Sequence, residues 1–180
     1  MNHVMIDLET MGRRAGCAIL SIGAVRFDPS TGDIGSTFYT PVRLSSCIEK
    51  GLHVDPETQK WWGEQSEEAK DVLKAAYSPT NAPTIWEALT KLSEFMHPDD
   101  KVWGNGSDFD NAIMDYAYAA CRLERPWKFY NNRCYRTIKA LAPHIKLQRI
   151  GTYHNALDDA KSQALHMMQV LYELRLTTSV

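Results

Sequence analysis

The sequence lacks the markers of several classes of protein. No apolar run approaches the roughly 18 residues that a membrane-spanning helix needs, and no two of the four cysteines, Cys17, Cys47, Cys121 and Cys134, form a CxxC pair. A disulfide framework or a zinc knuckle is therefore not expected, and unpaired thiols are typical of a cytoplasmic protein. The N-terminus has no basic segment and carries acids almost at once, so no signal peptide is predicted.

An excess of positive charge is also absent. The 180 residues include 20 Lys and Arg and 22 Asp and Glu, which gives a formal net charge of −2. The composition therefore does not announce a nucleic-acid binder, although local basic residues around an acidic site would cancel in this sum. Because the sequence shows no internal repeat and no convincing linker, residues 1–180 are expected to form a single domain.

The order of the predicted elements indicates an α/β fold. Three strands, at His3–Leu8, Cys17–Phe27 and Ser36–Val42, are separated by glycine and turn residues and predict an antiparallel meander. Two further short strands are predicted at Lys101–Gly104 and Arg133–Tyr135. The helices are expected to begin near Asp55 and Ser66 and to cover residues 85–96, 109–122, 137–142 and 155–176. A meander followed by parallel strands matches a ribonuclease H-like mixed sheet flanked by helices, although periodicity alone does not demand that fold.

Two acids lie on the first predicted strand. Asp7 and Glu9 are two residues apart, so both side chains point to the same face, about 7 Å apart along the backbone. Two carboxylates on one face of a buried strand repel each other and lose hydration. A divalent cation would compensate; the alternative is that the strand frays and water solvates both acids.

Two acids also follow the strand at 101–104. Asp108 and Asp110 stand at the start of the next predicted helix. Acids are favourable there for structural reasons, because they cap the helix and interact with its dipole. One of the two can cap while the other projects toward the strand ends.

The last predicted helix opens with a third acidic pair. Asn155 is a good N-cap, and Asp158 can reach back to it as in a capping box, which leaves Asp159 without a structural task. His154 lies in the loop just before this helix, where it could act as a general base or simply be solvated. Carboxylates from three separate segments together with a loop histidine meet the needs of two-metal phosphoryl transfer.

Three motifs resemble those of the DnaQ-like DEDDh 3′–5′ exonucleases. Asp7-Leu8-Glu9-Thr10-Met11-Gly12 resembles the first, Asn105-Gly106-Ser107-Asp108-Phe109-Asp110 the second and His154-Asn155-Ala156-Leu157-Asp158-Asp159 the third. They occur in order over most of the chain. The Trp61-Trp62 pair and the segment at 103–106 are most similar to the subgroup of mycobacterial-type exoribonucleases, phage DexA and the N-terminal part of prophage RecE proteins.

The resemblance implies a DEDDh domain that uses two Mg²⁺ or Mn²⁺ ions to release nucleoside monophosphates from the 3′ end of single-stranded or 3′-overhanging RNA or DNA. Asp7, Glu9, Asp110 and Asp159 match the metal ligands and catalytic acids, and His154 matches the general base. The usual second motif has its Asp four residues after the Asn. Here Asp110 comes five residues after Asn105, which leaves Asp108 as an alternative. Family analogy also suggests a homodimer, and no membrane is implied.

Contacts with the substrate are expected from residues near the motifs. Stacking is assigned to one of the two tryptophans, and wedging of the terminal bases to Leu8 and Met11. The predicted substrate-binding set is Leu8, Thr10, Met11, Trp61, Trp62 and Asn105. Lys139, Lys146 and Arg149 could form a basic patch beside the site, but they are interpreted as ordinary surface charge.

Other functions stay open at this point. One is a catalytically silent nucleic-acid-binding domain of the same fold, which the complete acid set argues against. Another is a phosphohydrolase that acts on nucleotides or very short oligonucleotides, and a third is an interaction protein with an accidental acid cluster. The sequence does not choose between RNA and DNA, because that choice depends on contacts to the 2′-OH.

Overall fold

A computed structural model describes residues 1–176, and the last four residues of the predicted domain lie outside this range. A five-stranded sheet forms its centre, in the order β3-β2-β1-β4-β5. The strands are β1 (His3–Thr10), β2 (Ile19–Asp28), β3 (Asp33–Pro41), β4 (Lys101–Gly104) and β5 (Asn132–Cys134). Strands β1, β2 and β3 form an antiparallel meander, whereas β4 is parallel to both β1 and β5. The predicted mixed sheet is therefore confirmed.

Helices cover the sheet on both faces. They are α1 (Leu44–Glu49), α2 (Pro56–Gly63), α3 (Glu67–Tyr77), α4 (Ile85–Phe95), α5 (Ala112–Ala120), α6 (Tyr135–Ala140) and α7 (Ala156–Glu173). A π-helical turn, Ser107–Asn111, precedes α5, and a 3₁₀ turn, Phe129–Asn131, precedes β5. None of the helices within residues 1–176 combines the length and the apolar character that crossing a membrane requires.

Several boundaries differ from the sequence prediction. Strand β2 begins at Ile19 rather than Cys17, because Cys17 forms an isolated bridge with His53 instead. Helix α6 begins at Tyr135, so β5 ends one residue earlier than expected. Helix α1 was not predicted, since its N-cap, Arg43, provides no side-chain hydrogen bond and six residues are too few to show a helical period.

The longer predicted helices begin where their capping residues indicate. Asp55 accepts a hydrogen bond from the Glu57 backbone N–H at 3.0 Å, with Pro56 at the first helical position of α2. Thr84 and Glu87 form a complete capping box at the start of α4. These local signals fix α2 and α4, and α2 carries the tryptophan pair toward the sheet.

Alternation along β1 decides which side chains face which helices. Val4, Ile6 and Leu8 belong to the larger buried cluster, which α1 to α5 cover, whereas Met5 belongs to the second cluster, which α7 covers. Because side chains of a strand alternate between faces, Asp7 and Glu9 share the face of Met5. The strand register therefore points both carboxylates toward α7.

A glycine allows α7 to approach the sheet closely. Gly23 on β2 pairs with Asp7 on β1. A Cβ atom at position 23 would lie 2.2 Å from the backbone carbon of Ala156, at the start of α7. Any side chain here would push the N-terminal turn of α7 away from the sheet, so Gly23 sets how near this turn comes to Asp7.

Candidate active site

The four carboxylates predicted from the sequence converge at one end of the sheet. Glu9, Asp110 and Asp159 are 7%, 2% and 8% exposed, and Asp7 is partly buried. They come from β1, from the π-helical turn after β4 and from the first turn of α7. His154 lies in the loop before α7, and a ring nitrogen of His154 and carboxylate oxygens of Glu9 and Asp159 lie within 4.8 Å of one another.

The geometry of the second motif brings Asp110, and not Asp108, into this group. Asp108 is exposed, whereas Asp110 is buried and its Oδ2 accepts a hydrogen bond from the Asn105 backbone N–H at 2.7 Å. The turn Ser107–Asn111 is π-helical, and a π-helical turn accommodates one more residue than an α-helical turn. The additional residue between Asn105 and Asp110 is absorbed in this way.

Burial and mutual repulsion disturb the titration of the acids. The pKa of Asp7 is raised well above its usual range by burial and then by the charges of Asp110, Glu9 and Asp159. Burial is also the largest cause at Glu9, whose pKa is raised to about 8, and at Asp110, whose pKa is raised to about 7. At Asp159 burial raises the pKa while Arg149 opposes it. The group holds its negative charge at a cost that a bound cation would remove.

The donor set fits a hard divalent cation. The cluster offers carboxylate oxygens from four residues, and Mg²⁺ and Mn²⁺ prefer oxygen ligands. Glu9 and Asp159 present oxygens near enough to each other to share an ion. The raised pKa values of the acids and the oxygen donors that they offer therefore both favour a hard divalent cation as the ligand.

Gln163 is a residue of the site that the sequence analysis missed. Its Nε2 donates a hydrogen bond to Asp7 Oδ1 at 2.6 Å, and the side chain is 5% exposed. Within residues 1–176, its Oε1 has no hydrogen-bond partner. Gln163 follows Asp159 by one helical turn on α7, and residues four apart share a helix face. That spacing was the signal available in the sequence.

Arg149 departs from its interpretation as ordinary surface charge. Its Nη1 contacts Asp159 Oδ1, and its guanidinium lies 4.1 Å from the centroid of the Tyr153 ring. The contact joins the loop before α7 to one of the four acids. The positive charge of Arg149 also lowers the pKa of Glu9, so Arg149 stabilises the ionised form of a second acid of the group.

The capping box expected at α7 is replaced by a different arrangement. Asn155 is the N-cap, and its Oδ1 accepts hydrogen bonds from the backbone N–H groups of Leu157 at 3.1 Å and Asp158 at 3.2 Å. Asp158 does not reach back to the N-cap; its Oδ2 accepts from the Thr152 backbone N–H at 2.9 Å. Asp158 therefore ties down the loop that carries His154.

His154 is held among aromatic rings. Its ring centroid lies 4.2 Å from that of Tyr153 and 5.1 Å from that of Trp61, both in edge-on arrangements. Its backbone has a φ of 60°, in the left-handed region. Burial lowers the pKa of His154, while the charge of Asp159 opposes this effect. The ring is therefore placed against the acids in a form that favours the neutral imidazole.

A pocket of about 490 Å³ adjoins the acids, and the two tryptophans take different positions in it. Trp62 is 1% exposed and its Nε1–H donates to the Thr10 carbonyl at 2.9 Å, whereas Trp61 is 41% exposed. The pocket is lined mainly by the side chains of β1 and α2 and by one residue of the π-helical turn: Leu8, Glu9, Thr10, Gly12, Arg13, Glu57, Thr58, Trp61, Trp62 and Phe109.

Two of the predicted substrate residues have other surroundings. Met11 is 0% exposed and packs in the larger cluster, so its placement does not support the expected wedge between bases. Asn105 is engaged within the protein, since its backbone carbonyl accepts from Arg136 Nη2 at 2.6 Å and its Oδ1 accepts from Lys139 Nζ at 3.2 Å. Leu8 and Thr10 do line the pocket.

The sheet order and the buried acids beside a histidine have the arrangement expected of DEDDh-type nucleases, and solved structures share the fold. The nuclease domain of 3′hExo, a DEDDh family member bound to rAMP, is 18% identical with a TM-score of 0.61, over 95% of this chain and 92% of that one. Exonuclease X in complex with 5′ overhanging duplex DNA is 16% identical with a TM-score of 0.61, over the same shares.

Sequence comparison gives the family. The model of the 3′–5′ exoribonuclease Rv2179c-like domain matches residues 2–171, and the chain belongs to this family. An exodeoxyribonuclease of Enterobacteria phage T4 is 26% identical over 175 residues, which covers 78% of this chain and 72% of the phage protein. The chain is accordingly a 3′–5′ exonuclease of the DnaQ-like group that acts on nucleic acid.

Proposed function

We propose that this chain removes nucleoside monophosphates one at a time from the 3′ end of single-stranded or 3′-overhanging RNA by a two-metal-ion mechanism. The observation that carries the proposal is the convergence of Asp7, Glu9, Asp110 and Asp159 with His154 beside an aromatic pocket. RNA is favoured over DNA because the matching family model is described as an exoribonuclease. The phage relative is an exodeoxyribonuclease, so DNA belongs in every test.

Asp7, Glu9, Asp110 and Asp159 would hold two Mg²⁺ or Mn²⁺ ions, which when bound supply Lewis-acid activation of water and stabilise charge on the leaving oxygen. His154 is the general base, and one of its ring nitrogens accepts a proton from the attacking water. The water oxygen bonds to phosphorus, and the bond from phosphorus to the 3′ oxygen of the penultimate nucleotide breaks. Once that oxygen takes up a proton, the products are a 5′-monophosphate and a strand shorter by one nucleotide.

The aromatic pocket would hold the terminal nucleoside. Trp61 presents an exposed ring, and Phe109 stands on the same turn as Asp110. Stacking of a base on an aromatic side chain contributes roughly 1–3 kcal/mol. Trp61→Ala is therefore expected to raise KM, whereas Trp86→Ala, at a similarly exposed tryptophan on α4 outside the pocket, is expected to leave KM unchanged.

The direct test is a time course on matched 5′-labelled single-stranded RNA and DNA, with Mn²⁺ and with chelator. Asp7→Ala and a matched pair at the second motif, Asp110→Asn and Asp108→Asn, complete the set. We expect a metal-dependent ladder that shortens from the 3′ end, is faster on RNA and is lost in Asp7→Ala and Asp110→Asn. Asp108→Asn should retain the ladder, because Asp108 is exposed outside the acid group.

Other outcomes would redirect the proposal. A faster ladder on DNA would overturn the choice of RNA. Hydrolysis confined to dinucleotides or nucleotides, with no ladder on either long strand, would favour the short-substrate phosphohydrolase. Loss of activity in Asp108→Asn with full activity in Asp110→Asn would exchange the roles given to these two acids.

Three expectations from the sequence remain proposals beside this one. They are a single domain over residues 1–180, a homodimer and a cytoplasmic location. The homodimer is the easiest to test, because light scattering on the eluting peak of a sizing column separates a 20.4 kDa monomer from a particle of twice that mass.

A further inference from the structure

Three cations lie along the border of the acid group. Arg136 and Lys139 stand one turn apart on α6, and Arg149 follows in the loop before α7. We call these three residues the basic rim. Arg136 and Arg149 are exposed, and Lys139 is partly buried.

Two residues of the basic rim, Arg136 and Lys139, donate to a neutral partner rather than to an acid. Most Lys and Arg contacts elsewhere are ion pairs, for example Arg26 with Asp100 at 2.7 Å and Arg125 with Asp115 at 2.6 Å. Within residues 1–176, neither Arg136 nor Lys139 forms an ion pair; both donate to oxygens of the neutral Asn105. Within the described residues, neither positive charge is therefore matched by a carboxylate at ion-pair distance.

The three cations also repel one another. The pKa of Lys139 is lowered by burial first and then by the charges of Arg136 and Arg149. The carboxylate that Arg149 contacts is Asp159, which is one of the proposed metal ligands. An anion from outside would relieve the repulsion that Lys139 experiences from its two neighbours.

The position of the basic rim indicates which anion this is. The charge of Arg136 lowers the pKa of Asp110, and that of Arg149 lowers the pKa of Glu9, so the cations border the acids. The pocket of about 490 Å³ is lined by Glu9 but by none of the three cations. In the proposed function, the terminal nucleoside of the strand fills the pocket and its last phosphodiester lies at the acids. The next phosphate along the strand then lies outside both the pocket and the acid group, where the cations can bind it.

We propose that the basic rim binds the backbone phosphate next upstream of the bond that is cut, and so makes the enzyme favour strands of three or more nucleotides over dinucleotides. This inference rests on the proposed function, since it takes the acids as the place of hydrolysis. A dinucleotide with a free 5′-hydroxyl has only the phosphate that is cut, so it gains nothing from the rim. A trinucleotide offers one more phosphate, which the rim can bind.

The test compares substrate lengths in matched variants. Release of monophosphates from unlabelled RNA of two, three and five nucleotides is followed by chromatography for the wild type, for Arg136→Gln with Lys139→Gln, and for Lys146→Gln. Lys146 is a control on the same stretch of chain: it is exposed, and its Nζ donates to the Pro143 carbonyl at 2.9 Å. Arg149 is left intact because it contacts Asp159.

We expect the double variant to lose about tenfold in kcat/KM on three and five nucleotides and little on two. The dependence of log affinity on log salt should become shallower by about 0.7 for each phosphate that the variant no longer binds. An equal loss at every length would overturn the proposal, because it would mean that Arg136 and Lys139 only position Asn105. No loss at any length would overturn it as well.

A binding measurement separates this inference from the proposed function. Fluorescence anisotropy of a labelled RNA pentamer is measured with Asp7→Asn, with and without the two rim substitutions. Binding about tenfold weaker is expected when the rim is removed, and an unchanged Kd would overturn the proposal even if the catalytic data were absent. A wild-type chain that binds the pentamer through the rim but cuts no substrate would contradict the proposed function alone.

Discussion

Strand β1 buries titratable side chains at both ends on the same face, and the two ends satisfy them differently. At the first end, His3 is 5% exposed and its Nδ1 accepts a hydrogen bond from Trp103 Nε1–H at 3.0 Å. Burial lowers the pKa of His3 to about 4, so the ring is neutral and partnered. At the other end, Asp7 and Glu9 face further acids, and within residues 1–176 Gln163 is the one side chain that donates to Asp7.

The comparison distinguishes a buried polar group that stabilises the fold, at the His3 end, from buried carboxylates that favour the binding of a cation, at the other end. A buried group with a partner contributes stability, whereas buried charges without one cost stability until a ligand arrives. The His3 end needs nothing from outside. In the proposed function the acidic end is completed by cations, and the two ends should therefore respond in opposite ways to the same kind of substitution.

The largest effect is expected from Asp7→Asn. Activity should fall at least about 100-fold, because even outer-shell partners of metal sites are worth 10–100-fold. The melting temperature in chelator should rise, since the substitution removes a buried charge whose pKa is raised and keeps an oxygen for Gln163. Nuclease rates and thermal melts with chelator check both halves. A lower melting temperature would show that Asp7 is stabilising as it stands.

Metal removal should lower the free energy of unfolding through the acidic end of β1 and not through the His3 end. At a concentration 100 times the Kd, Mn²⁺ should add about 2.7 kcal/mol to the free energy of unfolding of the wild type. The increment should vanish in Asp7→Asn and persist in a variant of His3. Thermal melts across a Mn²⁺ titration give the measurement, and an equal increment in all three proteins would place the ion elsewhere.

At the first end, His3→Leu should reduce the free energy of unfolding by about 1–3 kcal/mol, because it leaves the buried Trp103 N–H without an acceptor. His3→Gln is the matched control, since its amide oxygen can replace the acceptor. Urea unfolding of the three proteins in chelator provides the comparison. Nuclease activity should be retained in both variants, and its loss would mean that the two ends are coupled.

Taken over a single pH unit, the smallest effect is a pH dependence at His3. The pKa of His3 in the folded chain, about 4, lies below the usual 6.5, so the unfolded chain takes up the proton first as pH falls. The stabilisation is therefore complete above pH 6.5 and is lost toward pH 4. The advantage of the wild type over His3→Gln should shrink by about 1.4 kcal/mol for each pH unit in this window. A constant difference would mean that His3 is already protonated or exposed.

Local patterns in the sequence were enough for the sheet and for the acids. Strand alternation predicts that Asp7 and Glu9 share one face, and Asp55 and Thr84 are residue types that predict the N-caps of α2 and α4. Helix α1 could not be predicted, because its N-cap makes no side-chain hydrogen bond and its six residues are too few to show a helical period. The helix expected over 109–122 concealed the π-helical turn, since a hydrophobic period does not register one additional residue.

Partners that meet only in the folded chain could not be found in this way. Gln163 reaches Asp7 across 156 positions of sequence, and Arg149 contacts Asp159 through a loop without a regular period. Asp158 fitted a capping box by spacing, but the loop before α7 supplied the N–H of Thr152 instead. In each case the choice of partner depends on how α7 docks on the sheet.

Because α7 docks so closely on the sheet, substitutions at Gly23 should abolish activity as substitutions of the acids do, although Gly23 takes no part in the chemistry. Gly23 carries no functional group, yet a Cβ there would meet the Ala156 backbone at 2.2 Å and displace the turn that bears Asp159. A screen that scores every substitution by surviving nuclease activity would rank position 23 beside the acids themselves. Position 32, also a glycine of the meander, has nothing within 4 Å of its added Cβ, although its φ of 79° still favours glycine. Intolerance to substitution at position 23 would therefore record how closely a helix must approach the sheet.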